Sequence, residues 1–155
     1  MKTESISTSK NTLSYNDESL TFQYPIGGKV VKIYHSDGTS VTRLLGLIDG
    51  DLVGIDIERI QINNNAKEEI LRLSSIERIT NEQEKIPPME ISVGGYMGWR
   101  YVYRLFEGGK DQGYMETIIV NTPAGVYRIK MNVSVDIYNR SKMILNTVIS
   151  SLQFR

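Results

Sequence analysis

The order of elements between Tyr96 and Phe154 constrains this chain most: three runs of alternating apolar and polar residues, joined by polar turns, lead into one amphipathic helix. In the run Val126 to Val135, Ile129, Met131, Val133 and Val135 fall on one side and Arg128, Lys130, Asn132 and Ser134 on the other, the period of a half-buried strand. From Asp136 the period changes. Ile137, Ser141, Ile144 or Leu145, Val148 and Leu152 share one helical face, and Asn139, Arg140, Lys142 and Asn146 take the opposite one. Three antiparallel strands followed by a helix that covers one sheet face predict an α+β domain. The positions that carry this pattern are apolar core positions, so it fixes a fold class and leaves the chemistry open.

The upstream half reads the same way. Leu20, Phe22 and Tyr24 alternate with Thr21 and Gln23 and stop at Pro25; a Gly27-Gly28 turn follows, then Val31 and Ile33. Val41 to Ile48 leads into Asp49-Gly50, a strong two-residue hairpin signal, with Leu52 to Ile57 returning. Asn65 and Glu68 have the spacing of a helix N-cap pair, and Ala66, Ile70, Leu73 and Ile76 share a face, which predicts a helix over 66–79. The charged stretch Thr80 to Lys85 and the pair Pro87-Pro88 predict a solvated crossover back to the sheet. Gly94-Gly95 then predicts a bulge or bend in the returning strand.

A chain of 155 residues, 40% of them hydrophobic, buries about two-thirds of its unfolded surface in one core, so one domain is expected over residues 20–155. Residues 1–19 are rich in Ser, Thr, Asn and Lys with isolated apolar positions, a composition that predicts a flexible polar leader or linker. Such a leader fits a natural N-terminus or the remainder of a removed signal or anchor segment, and the second is the expectation. Lys plus Arg and Asp plus Glu both number 18. A formal net charge of zero offers no field to attract nucleic acid or anionic lipid, and no window reaches the roughly 18 apolar residues of a membrane helix. With no cysteine, disulfides, thiolate metal sites and a cysteine nucleophile are excluded.

The run Leu-Thr-Phe-Gln-Tyr-Pro at 20–25, a hairpin, a central helix, Val-Gly-Gly-Tyr-Met-Gly at 93–98, a meander and a closing helix that ends in Ile-Ser-Ser-Leu-Gln-Phe at 149–154 together resemble the PsbP-like superfamily. That superfamily includes the extrinsic photosystem II subunit, a Ran-binding nuclear import factor and many bacterial lipoproteins. The resemblance spans nearly the whole chain after residue 19 and implies an α/β/α sandwich. In the family the aromatic-Pro element often continues to a Trp; here Ile26-Gly27-Gly28-Lys29 follows. The resemblance further implies a bacterial domain outside the cytoplasm, secreted or held by a lipid anchor upstream.

Four features are candidates for chemistry. His35 is the only histidine, so a multi-histidine metal site is impossible; beside Asp37 in a turn it reads as part of a solvated Asx-type turn rather than a general base. Asp49, Asp51, Asp56 and Glu58 gather carboxylates, but a hairpin glycine explains the first two and the further oxygen ligands of a calcium loop are missing. Gly94-Gly95-Tyr96-Met97-Gly98 is followed by a strand, where a phosphate cradle needs a helix. Tyr96, Trp99, Tyr101 and Tyr103 form the densest aromatic stretch, and alternation places Trp99, Tyr101 and Tyr103 on one face, either lining a ligand or partner groove or packing beneath a helix. The sequons at Asn132 and Asn139 and the charged runs at Lys67-Glu68-Glu69 and Glu82 to Lys85 read as chance and as solvated faces.

The expected function is therefore a non-enzymatic extracytoplasmic binding or accessory module, with no cofactor and an unknown protein or small-molecule partner. A cytoplasmic protein-interaction domain is the alternative. A small hydrolase using His35 or the acidic hairpin ranks third.

Overall fold

The computed structural model describes residues 3–6, 11–48, 50–62, 65–79 and 83–155. Its strands are β1 (Thr3–Ile6), β2 (Thr12–Asn16), β3 (Leu20–Pro25), β4 (Lys29–Tyr34), β5 (Ser40–Ile48), β6 (Asp51–Ile60), β7 (Gln83–Val93), β8 (Tyr96–Glu107), β9 (Lys110–Thr122), β10 (Gly125–Val133) and β11 (Gln153–Phe154). The helices are α1 (Ala66–Ile79) and α2 (Tyr138–Ser151), the latter entered through a single 3₁₀ turn at Val135–Ile137. A seven-stranded sheet runs β4-β5-β6-β10-β9-β8-β7 and a four-stranded sheet runs β1-β2-β3-β11. Every pairing is antiparallel. The fold is α+β, antiparallel sheet with helices packed on it.

Alternation along the strands sorts residues between two unequal faces of the large sheet. Ile55 and Ile57 of β6, Ile118 and Val120 of β9, and Ile129 and Met131 of β10 point to one face, where they pack with Tyr15, Phe22 and Tyr24 of the small sheet and with Leu145, Val148 and Leu152 of α2. This is the main core. On the other face Ala66 and Ile70 of α1 cover Tyr101, Tyr103 and Ile119. The helix starts where Asn65 predicts: its Oδ1 accepts the Glu68 backbone N–H at 2.9 Å, satisfying a donor that has no intrahelical partner. Ala66 and Ile70, one turn apart, then face the sheet, and each fully buried side chain of the size of Ile contributes about 1.5–3 kcal/mol by leaving water.

Three expectations are corrected. The flexible polar leader or linker expected over residues 1–19 does not include Thr12–Asn16, which pairs with β3, placing Tyr15 opposite Phe22, and the Tyr15 ring is fully buried. Backbone pairing along the edge of β3 and burial of one large ring outweigh the polar composition around them. Pro87-Pro88 lies within β7 rather than in a crossover: β7 is an edge strand, and its register slips between Glu84 and Ile86 and between Ile86 and Met89, so the missing N–H groups interrupt the ladder without ending it. Gly94-Gly95 is a tight hairpin turn, with Val93 opposite Tyr96 and both glycines at positive φ (60° and 83°), and not a bulge within one strand. Gly94 is also held by space, since a Cβ there would stand 2.8 Å from the Leu152 carbonyl oxygen. Thr80 to Glu82 lie outside the described residues.

Candidate binding cleft between the two sheets

The turn between β2 and β3 is built on Asp17. Its Oδ1 accepts the backbone N–H groups of Ser19 at 2.7 Å and Leu20 at 3.0 Å, an Asx turn that reverses the chain into β3. Its Oδ2 accepts the Tyr15 hydroxyl at 2.6 Å and the Lys32 ammonium, from β4 in the other sheet, at 3.1 Å. Asp17 is 5% exposed, so this carboxylate bridges the two sheets almost out of contact with solvent. Burial pushes its carboxyl up, but the bonds from Tyr15, Ser19, Leu20 and Lys32 together prevail and hold it down to about 2. The Tyr15 hydroxyl moves the opposite way, raised by burial and by its bond to the carboxylate.

Above this bridge lies a cleft of about 750 Å³. Asp17, Ser19 and Leu20 of the small sheet form one wall; Lys32, Thr42, Ile57, Arg59 and Tyr127 of the large sheet form the other, with the 37–40 turn at the mouth. Arg59 and Tyr127 face each other across the β6–β10 ladder. Gly125 allows this arrangement: a Cβ there would stand 2.5 Å from Arg59 Nε, so the guanidinium rests where any side chain at 125 would be. Burial raises the Tyr127 hydroxyl pKa. Its ring packs on Phe154 at 4.7 Å, and Phe154 in turn meets Tyr96 at 6.4 Å.

A second buried polar group sits on the same face of the large sheet. Glu116 is 1% exposed and accepts the Tyr138 hydroxyl at 2.9 Å, while Arg100 Nη2 approaches its other oxygen at 3.1 Å without hydrogen-bond alignment. Neither Glu116 nor Arg100 nor Tyr138 lines the cleft. We assign this group to anchoring α2 on the sheet.

The residues singled out from sequence are dispersed. His35 is exposed, and the neighbouring Asp37 accepts both the backbone N–H and the hydroxyl of Thr39, the bonds that hold its carboxyl below the usual range. Asp56 takes a two-pronged bond from Arg43 at 2.6 and 2.9 Å, and Glu58 pairs with Arg128. Asp51 is exposed, and Asp49 lies outside the described residues. The described residues include no cluster of metal-ligating side chains. Tyr101 and Tyr103 stack at 5.2 Å beneath α1, and Trp99 continues their face under Lys67, whose ammonium lies 5.0 Å from the ring centre. Tyr96 is on the opposite face against Phe154. The structure therefore brings three of the four aromatics together and buries two of them as packing.

Asp17, Lys32, Arg59 and Tyr127 were not legible as a set. The signal for Asp17 was present, since Leu13 and Tyr15 alternate before Asn16-Asp17-Glu18-Ser19 as strand residues do before a turn. Nothing local marks the other three, which are single positions on strands brought together by sheet packing.

No family model matches this chain, and no curated protein matches it. Among solved structures it is similar to the cyanobacterial PsbP protein CyanoP from Synechocystis sp. PCC 6803, with a TM-score of 0.64, 16% identity, and 97% of this chain and 98% of that one covered. It is also similar to LpqN of Mycobacterium tuberculosis, described as involved in cell envelope biogenesis, with a TM-score of 0.57, 11% identity, and 99% and 90% covered. Two sheets, a helix on each face of the larger one and a match that spans both chains almost end to end give this protein the PsbP-like fold.

Proposed function

We propose that this protein is an extracytoplasmic accessory domain that binds a small polar ligand in the cleft between its two sheets. The cleft carries the reading. It is a concave space of about 750 Å³ to which both sheets contribute, and within it Asp17 and Lys32 are held as an ion pair that joins the sheets. Binding fits these groups better than turnover, because Asp17, the most buried acid there, already accepts four hydrogen bonds and is held well below the pKa of a general base at neutral pH. The likeness to a protein of mycobacterial cell envelope biogenesis supports a place outside the cytoplasm.

Brief protease treatment of intact source cells, with immunodetection of the full-length product, tests the location. Cleavage in intact cells at a concentration that spares a cytosolic marker is expected. Protection until lysis would overturn the extracytoplasmic reading and favour a cytoplasmic interaction domain.

A further inference from the structure

We propose that Arg59 and Tyr127 form a carboxylate-binding site in the cleft, selective for a small hydroxylated monocarboxylate. The inference rests on the reading of the cleft as a ligand site. Five charged residues line it, and four are committed. Asp17 and Lys32 pair with each other, Asp37 is satisfied by Thr39 in its own turn, and Glu58 pairs with Arg128. Arg59 has no carboxylate partner among the described residues, and the Tyr127 hydroxyl has no hydrogen-bond partner among them. The two stand opposite each other on β6 and β10, and Gly125 gives the guanidinium its seat. A planar guanidinium presents two parallel N–H donors to a carboxylate, and a neighbouring phenol supplies a third.

The surrounding charge selects the ligand. With Asp17 paired to Lys32 and Glu58 to Arg128 on the other face of the sheet, Asp37 at the mouth balances Arg59. The cleft therefore has no net positive field to hold a dianion such as phosphate, and one guanidinium for a single carboxylate. Ser19, Thr39, Ser40 and Gln61 line the rest of the space, which suits hydroxyl groups.

The test is a backbone-amide NMR titration of the whole chain with sodium gluconate, against sodium chloride and inorganic phosphate at matched ionic strength and pH 7. Saturable shifts at 17–20, 57–61 and 125–127 with gluconate only are expected. Arg59→Gln should weaken gluconate about tenfold or more and Tyr127→Phe about three- to fivefold, while Arg43→Gln, on the opposite sheet face, leaves it unchanged. Unaltered amide spectra elsewhere report that each variant is folded. No saturable shift, equal binding of phosphate, or insensitivity to Arg59→Gln would each overturn the proposal. If a source-cell polar extract still shifts the cleft amides after such a result, the cleft remains a ligand site and only its carboxylate chemistry is lost.

Discussion

The two faces of the seven-stranded sheet treat charge in opposite ways. On the face closed by the small sheet and α2, Asp17 and Glu116 are buried and held by several partners each. On the face that α1 covers over β7, β8 and β9, the pairs Arg43–Asp56 and Arg128–Glu58 lie partly in solvent across neighbouring strands. A charge in water gains little from a partner, whereas a charge removed from water is costly without one. The closed face is therefore where a polar residue carries information, and the cleft opens at its edge.

The largest test removes a partner on each face. Glu116→Ala leaves Arg100, whose Nε has no acceptor among the described residues, without its counter-charge, and should cost about 3–5 kcal/mol in urea unfolding. Glu58→Ala, on the open face, should cost under about 1 kcal/mol. Equal losses would break the comparison.

Acid titration sharpens it. The Asp17 carboxyl is lowered on folding from 3.8 to about 2, so the folded state binds its proton less readily than the unfolded chain. The resulting stability, about 2 kcal/mol, is fully present above pH 5 and lost as the pH falls through 3.8 towards 2. Asp17→Asn should be less stable than the parent by about that amount at pH 6 and nearly equal to it at pH 2. A gap that persists unchanged at pH 2 would assign the effect to lost packing instead.

A smaller contrast concerns two hairpins. Gly94→Ala places a Cβ against the Leu152 carbonyl at the end of α2 and forces an unfavourable positive φ; Gly109→Ala meets only the φ cost, as nothing lies within 4 Å. Thermal unfolding should show a loss of about 1 kcal/mol at Gly109 and at least twice that at Gly94. Smallest of all, Arg43→Ala should change stability by under about 1 kcal/mol and lose even that in high salt.

Legibility followed the same division. Elements that declare themselves by local period were readable: the alternation of β10, the α2 stripe and the Asn65 cap of α1 all depend on residues within a few positions of one another. β2 was not, because its pairing with β3 and the burial of one tyrosine are tertiary facts set among polar neighbours. Pro87-Pro88 misled for a related reason, since the tolerance of an edge strand for bulges cannot be known before the strand order is. The aromatic stretch at 96–103 was visible but two-valued, and α1 supplies the packing that buries Tyr101 and Tyr103. The cleft was invisible because Asp17, Lys32, Arg59 and Tyr127 come from four separate strands or turns.

Whether the cleft or the aromatic face meets the ligand is settled most directly by mapping where a ligand acts. Backbone amides should be assigned and followed by NMR during titration with a polar small-molecule extract of the source cells. The account predicts saturable shifts grouped at 17–20, 38–42, 57–61 and 125–127. Shifts grouped instead at 99–103 and along the exposed side of α1 would contradict it and return the site to the aromatic face.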